Sequence, residues 1–214
     1  PFEVARKVDE SEEISSFYLV PTDGKDLPPF EPGQFVSVKR FVGELDLEQP
    51  RQYSLSDAPH GKWLRISVKR EAAGDDDTAK PAGRISNLLH DELHAGGHVE
   101  VSAPYGDFVL DRTKRTPVVL VSGGVGTTPM VSMLATVVMD SPTRRVSFLH
   151  ACRNRRVHAF REWLDDVVAD HPNASKVTFY EEVGPNDVQG RDYDFIGRLD
   201  LAAIREAVLL RDAD

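Results

Sequence analysis

Pro117-Val118-Val119-Leu120-Val121-Ser122-Gly123-Gly124-Val125-Gly126-Thr127-Thr128-Pro129 is the stretch on which the fold turns. Its continuous apolar run, Pro117 to Val121, predicts a strand buried on both faces, as in a parallel sheet. Glycines then break the run. Thr128 has the chemistry of a helix N-cap, with Pro129 at the first helical position. Met130, Met133, Leu134, Val137 and Val138 follow at i, i+3, i+4, i+7 and i+8, one face of a helix. Strand, glycine turn and helix in that order open an α/β domain.

Downstream the same alternation continues. Val146 to His150 reads as a second strand. Phe160, Trp163, Leu164, Val167 and Val168 give a helix that His171-Pro172 ends, and Val177 to Tyr180 reads as a third strand. Asp200 is placed to cap a last helix carrying Leu201, Ile204 and Val208, so this half reads βαβαβ-loop-α, a doubly wound parallel sheet. Upstream, to about Pro104, short alternating runs such as Phe35-Val36-Ser37-Val38 and Leu64-Arg65-Ile66-Ser67-Val68 lie between turn signals at Pro32-Gly33, Pro59-His60-Gly61 and Tyr105-Gly106-Asp107. That pattern predicts a small antiparallel barrel. One helix interrupts it: Ser86 can cap a turn from Asn87, Leu88, Leu89 and Leu93 share a face, and Gly96-Gly97 stops it. Two domains are expected, 1–113 and 114–214.

Composition narrows the function classes. Forty per cent of the 214 residues are apolar and 29% charged, and no apolar run approaches the roughly 20 residues a membrane span needs. With nothing like a targeting segment at Pro1-Phe2-Glu3-Val4, a cytoplasmic location and no membrane partner are expected. A net charge of −9 disfavours nucleic acid. The single cysteine, Cys152, cannot form an internal disulfide or hold zinc or a cluster alone, so no metal site is expected. It reads as a buried small residue, His60 and His158 read as surface histidines, and Asp75-Asp76-Asp77 within Ala72 to Pro81 reads as a solvated loop.

The glycine turn stands where a nucleotide phosphate would sit. Residues without Cβ let backbone N–H groups approach a pyrophosphate, and the positive end of the following helix favours it. The spacing is not G-x-G-x-x-G, and a glycine turn here also serves as a plain tight connection.

The segments "EPGQF", "RQYSLSD", "ISVKRE", "GRISNLLHD", "APYGDF", "SGGVGTTPMVSML" and "VQGRDYD" run in order along the chain. In these it resembles the ferredoxin–NADP reductase superfamily, and most of all the reductase portion of flavohaemoglobins. The resemblance implies an N-terminal antiparallel six-stranded FAD-binding barrel followed by a doubly wound parallel-sheet NAD(P)-binding domain. It implies FAD and NADH or NADPH as cofactors, and a flavin-dependent NAD(P)H oxidoreductase that passes electrons to a haem or iron–sulfur acceptor.

By the same resemblance Arg51 meets the FAD diphosphate, Gln52 and Tyr53 line the flavin with Tyr53 packed on its ring, and Ser54 lies near flavin N5 as the candidate catalytic residue. In a plain strand Arg51 and Tyr53 point one way and Ser54 the other, so the spacing alone does not bring all three together. Without the other motifs the segment would read as a barrel strand with a surface arginine and a core tyrosine. Gly83, Ile85 and Ser86 open the short helix as a second diphosphate clamp, though Ser86 equally serves as a cap. Ser67, Val68, Lys69 and Glu71 match the strand beneath the flavin, with Lys69 also readable as a solvated charge. Phe35 stands where such modules commonly carry tyrosine, which removes a possible hydrogen bond and keeps the aromatic packing.

Gly123, Gly124, Val125, Gly126, Thr127, Thr128 and Pro129 form the implied dinucleotide loop. Arg153, with Arg155 and Arg156, lies where the adenosine ribose is expected. These arginines fit a 2′-phosphate, and equally a solvated helix start, so NADH and NADPH both stay open. The family's last strand, with its Cys-Gly-Pro motif, does not appear before Arg211-Asp212-Ala213-Asp214. A C-terminally truncated piece of a longer polypeptide is therefore expected, with Val118 to Val121 left as an open edge in a 3-2-1-4-5 strand order. The rival reading is a flavin-binding relay or regulatory subunit that does not oxidise nicotinamide.

Overall fold

The computed structural model describes residues 1–43, 46–73, 82–200 and 202. The chain divides into two compact units, Pro1–Val109 and Leu110–Asp214.

The first unit is a six-stranded antiparallel sheet of β1 (Phe2–Asp9), β2 (Ile14–Pro21), β3 (Phe35–Val42), β4 (Leu47–Ser54), β5 (Leu64–Lys69) and β6 (His98–Val101), in the order β4-β3-β6-β1-β2-β5. Just beyond β4, Leu55 bridges Ile66 and the Ser56 N–H donates to Arg65 O (2.8 Å), which closes the sheet on itself. Alternation does the packing. Val36 and Val38 of β3 and Phe17 and Leu19 of β2 are fully buried in one core with Ile66 and Val68, and each such side chain contributes roughly 1.5–3 kcal/mol by leaving water. The opposite face of β2 and β5 is buried too, under polar groups: Ser16, Ser67 and Ser56 hydroxyls form a chain at 2.7 Å steps, and the buried Arg65 Nε donates to Ser56 O (3.0 Å).

The short helix α1 (Arg84–Glu92) starts earlier than the sequence predicts. Gly83 is its N-cap and Ser86 lies in the first turn, its hydroxyl donating back to Gly83 O (3.0 Å). Ile85 and Leu89 are buried and Leu88 is half-buried against the core. Gly83 is forced by packing: a Cβ there would come within 2.5 Å of Ser86 Oγ and 2.7 Å of Glu71 Cβ. Residues 74–81, most of the expected acidic loop, lie outside the described residues.

In the second unit β7 (Val118–Gly123), β8 (Val146–Cys152), β9 (Ala174–Tyr180) and the two-residue β10 (Phe195–Ile196) form a parallel sheet in the order β10-β9-β8-β7. The predicted 3-2-1 order of the first three strands holds. β10 was not expected, because two residues carry no readable period. Helix α2 (Thr127–Asp140) packs on β7 and β8, and α3 (Arg161–Asp170) on β9. Helix α2 begins one residue before the predicted cap. Gly126 is its N-cap, and Thr128 sits in the first turn, where its hydroxyl donates to Val125 O (3.1 Å). Pro129 remains in that turn, where an N–H has no helical acceptor to lose.

Strand β7 is the edge of the sheet among the described residues. Nor is it buried on both faces: Val118, Leu120 and Ser122 on one face are covered, while Val121 on the other is 40% exposed. The expected final helix lies outside the described residues except at its start, where Asp200 Oδ1 accepts from the Ala202 N–H (2.8 Å). Among the described residues no helix is long and apolar enough to cross a membrane.

Candidate functional site

In the first unit the site residues gather on β3 and β4. Their register pairs Phe35 with Ser54, Val36 with Tyr53, Ser37 with Gln52 and Val38 with Arg51. Directly opposed residues share a face, so Phe35, Ser37, Gln52 and Ser54 lie on one side, Tyr53 and Arg51 on the other. Tyr53 packs against the barrel core, and burial pushes its phenol up to about 12, against the opposing pull of Arg51. Arg51 is exposed at the strand's rim, its guanidinium donating to Pro50 O (2.8 Å) and Gln49 Oε1 (3.2 Å), both neutral acceptors.

Ser67 and Val68 are buried, the Ser67 hydroxyl already engaged by Ser16 and Ser56, and Val68 O accepting from His90 Nε2 (2.8 Å). Any role for these two toward a ligand therefore runs through position rather than a free side chain. Lys69 bridges Glu13 (3.6 Å) and Glu71 (3.8 Å). The Glu71 carbonyl accepts from the Gly83 N–H (2.9 Å), which ties the end of β5 to the start of α1. The first helical bond of α1 is Asn87 N–H to Gly83 O (3.0 Å), so the N–H groups of residues 84–86 precede the intrahelical ladder and face outward from its positive end.

In the second unit β7 delivers the chain into a single turn of 3-10 helix, Gly124–Gly126, before α2. Residues 123–126 are exposed, while Ser122 before them and Thr127 and Thr128 after them are buried. Gly124 needs its residue type for its backbone, at φ +51°. Gly126 does not: φ is −61°, and a Cβ built there meets nothing within 4 Å. Neither local geometry nor packing within the described chain calls for glycine at 126, so the space above it is open to a ligand.

Beyond the same ends of β8 and β9 lies a cleft of about 480 Å³, walled by Asn154, Arg155 and Arg156 on one side and by Glu182 and the Gly184–Asp187 turn on the other. Open parallel sheets take ligands outside the carboxyl ends of their strands. The Asn154 side chain caps the turn that follows, accepting from the Arg156 N–H (3.1 Å) and donating to Glu182 Oε2 (3.2 Å). Arg153 contributes its carbonyl to the Glu182 N–H (2.7 Å). Arg155 is not simply solvated. It stands 3.4 Å from Asp192 and 3.8 Å from Asp187, and Asp192, buried, is held down at about 2 by Arg191 first and then by the Val188 N–H and Arg155.

Beneath these loops lies a buried polar cluster. Ser122 Oγ meets His150 Nδ1 (2.9 Å), the rings of His150 and His158 stack at 5.1 Å, and His158 Nδ1 meets the Tyr180 hydroxyl (2.9 Å). Burial pushes His150 down to about 4 and His158 well below the usual imidazole value, so both are neutral at pH 7. The expectation of surface histidines is corrected. His158 is 4% exposed because the 3-10 turn at Arg155–Val157 folds it back under β9, and His60 is half-buried against Trp63 with Nε2 3.4 Å from Asp57. Cys152 is buried as expected, and burial, aided by Glu181, pushes its thiol up to about 12.

Comparison with known proteins closes the question of family. Residues 120–214 match the oxidoreductase NAD-binding domain. The flavohemoprotein of Bordetella pertussis is 53% identical over the whole chain, and that of Bacillus subtilis 41%, with the chain spanning about half the length of each (52% and 51%). The crystal structure of the flavohem-like FAD/NAD-binding domain of a nitric oxide dioxygenase from Vibrio cholerae superposes with a TM-score of 0.86 at 34% identity, covering all of this chain and 84% of that one. The chain belongs to the flavohaemoglobin branch of the ferredoxin–NADP reductase superfamily.

In this flavohaemoglobin-type chain the predicted residues fall into separate groups. Phe35, Gln52 and Ser54 share one face of the β3–β4 ladder, with Arg51 and Tyr53 on the other. Lys69, Glu71, Gly83, Ile85 and Ser86 meet at the β5–α1 junction, and Gly123 to Pro129 form the turn into α2. Tyr105, Asn154, Glu182 and Asp187 join the candidate sites only in the folded chain. Tyr105 was visible as turn punctuation, and the Gly184-Pro185-Asn186-Asp187 run as turn chemistry, but what either faces depends on contacts far along the chain.

Proposed function

We propose that these residues form the reductase module of a flavin-dependent NAD(P)H oxidoreductase, with FAD held by the barrel unit and a nicotinamide dinucleotide by the α/β unit. The observation that carries the reading is the turn at Gly123–Gly126: exposed backbone at the end of a parallel strand, glycine at 126 without internal cause, and the positive end of α2 behind it. Those features fit a diphosphate. In the barrel unit Arg51 offers an exposed guanidinium, the start of α1 offers outward N–H groups, and Ser54 offers a hydroxyl; this donor set fits a flavin dinucleotide.

When bound, FAD would take a hydride from the nicotinamide and release electrons one at a time to a haem or iron–sulfur acceptor. The chain's own work is placement. Arg51 and the α1 N-terminus neutralise a diphosphate, Tyr53 buttresses the strand from the core side, and Ser54 presents its hydroxyl where the reactive edge of the ring is proposed to lie. The cleft beside Arg155, Arg156, Glu182 and Asp187 takes the adenosine end of the nicotinamide dinucleotide. A cytoplasmic setting is proposed as well, compatible with the single free thiol of Cys152. The test is turnover: the chain loaded with FAD should reduce ferricyanide or cytochrome c with NADH or NADPH as donor, and the loss of that activity on removing FAD should be complete. A chain that binds FAD and transfers no electrons from either nucleotide would instead be a relay subunit.

A further inference from the structure

The outer face of the β3–β4 ladder carries an aromatic ring that no sequence motif assigned to the site. Tyr105 bridges Phe35 through two backbone bonds (3.0 and 2.9 Å), and its ring lies 4.2 Å from the Phe35 ring at 59°. Its hydroxyl bonds Ser37 Oγ and accepts from Gln52 Nε2 (3.0 Å), two side chains that face each other across the ladder. The turn behind it is locked as well. Gly106 has φ +120°, and a Cβ there would press on the Phe35 ring at 2.8 Å.

Three independent restraints thus fix a tyrosine that is still 38% exposed. An ordinary surface tyrosine gains little from such immobilisation and pays rotamer entropy for it. Rigid, half-exposed aromatic rings beside a few placed polar groups are what a flat ligand finds pre-organised, because the cost of ordering them does not fall on binding. Tyr105, Phe35, Ser37, Gln52 and Ser54 make one continuous patch of this kind.

We propose that Tyr105 is a flavin-binding residue, its ring forming one wall for the isoalloxazine of FAD beside Ser54, with Gln52 and Ser37 as the clamp that holds it. This rests on the reading of the barrel unit as the FAD site. Isoalloxazine rather than adenine is chosen because Ser54 and Gln52 lie on the same face as Tyr105.

The test uses the 214-residue chain freed of flavin and titrated with FAD and separately with FMN, which keeps the isoalloxazine, ribityl chain and one phosphate and lacks the adenosine end. Tyr105→Leu should weaken both by the same factor, roughly tenfold, and leave the bound flavin more fluorescent, since it loses a stacking quencher. Tyr105→Phe keeps the ring, drops the clamp and should weaken both by about threefold. If wild-type chain binds neither flavin, the FAD reading itself fails. If wild type binds and both variants match it in affinity and fluorescence, the role of Tyr105 is overturned while that reading stands. A loss confined to FAD would move the contact to adenine and overturn the assignment, as would unchanged flavin binding with slowed transfer to an acceptor protein, which would make the patch a docking surface.

Discussion

The two halves of the molecule build their candidate sites from different materials. On β3 and β4 the N-terminal half presents side chains, and each of those has a register partner and a fixed face. The C-terminal half presents backbone, in a turn whose exposed glycines lie past the end of β7, over a buried Ser122–His150 and His158–Tyr180 cluster. A side-chain site is sensitive to which atoms are present. A backbone site is sensitive to what is added, and to the integrity of the layer beneath it. Four measurements separate the two kinds of site.

The largest concerns acid. His150 is pushed down to about 4 by burial, so below the unfolded value near 6.5 the unfolded chain takes up a proton that the native state refuses. The stability contributed by neutral His150 is complete above that value and declines as pH falls toward 4, by about 3 kcal/mol; His158 adds in the same direction. In the N-terminal half the half-buried Glu10 carboxyl is pushed up by desolvation and works with the opposite sign, since its protonated form is favoured in the fold. Urea unfolding followed by Trp163 in a Trp63→Phe background should show the C-terminal half weakening between pH 6.5 and 4, and His150→Asn should flatten that slope. A slope unchanged by the substitution would remove the buried cluster from the account.

Next is Gly126→Val. With φ −61° and open space around it, the turn should accept the side chain at a cost below about 1 kcal/mol, while NADH affinity measured by equilibrium titration falls about a hundredfold. FAD affinity should stay as it was. Arg51→Met is the reciprocal experiment. It should weaken FAD binding roughly thirtyfold through loss of a charge-assisted hydrogen bond, with little change in thermal midpoint because the side chain is exposed, and leave the nucleotide titration unaffected. Smallest is Cys152. With its thiol pushed up to about 12, it should resist iodoacetamide in the folded chain at pH 8, and Cys152→Ala should alter turnover less than twofold, roughly the scatter expected of a neutral core change.

What could be read from the sequence divides along similar lines. The strand, glycine turn and helix at 117–129 announced themselves by a change of period, and the barrel by alternation; both are local patterns. The two-residue displacement of the α2 start, from a cap at Thr128 to one at Gly126, has a local cause too: the 3-10 turn at Gly124–Gly126 runs straight into the helix and leaves no periodic trace. His158 was misread because its polar neighbours, Arg153 to Arg156, look like a solvated stretch, and only the return of that turn beneath β9 brings it to Tyr180. Arg155 looked free for the same reason, its partners Asp187 and Asp192 coming from a distant loop. Tyr105 marks the limit most clearly. The residue was in plain view, and its clamp by Ser37 and Gln52 is a fact of strand pairing that residue types alone do not contain.

Whether two cofactors on two units work as one reductase is decided by an anaerobic absorption spectrum of the FAD-loaded chain mixed with NADH and, separately, with NADPH. A competent reductase module gives flavin bands that bleach on addition of at least one nucleotide, at a rate that saturates with its concentration. Bands that appear with FAD and persist with both nucleotides would contradict that reading.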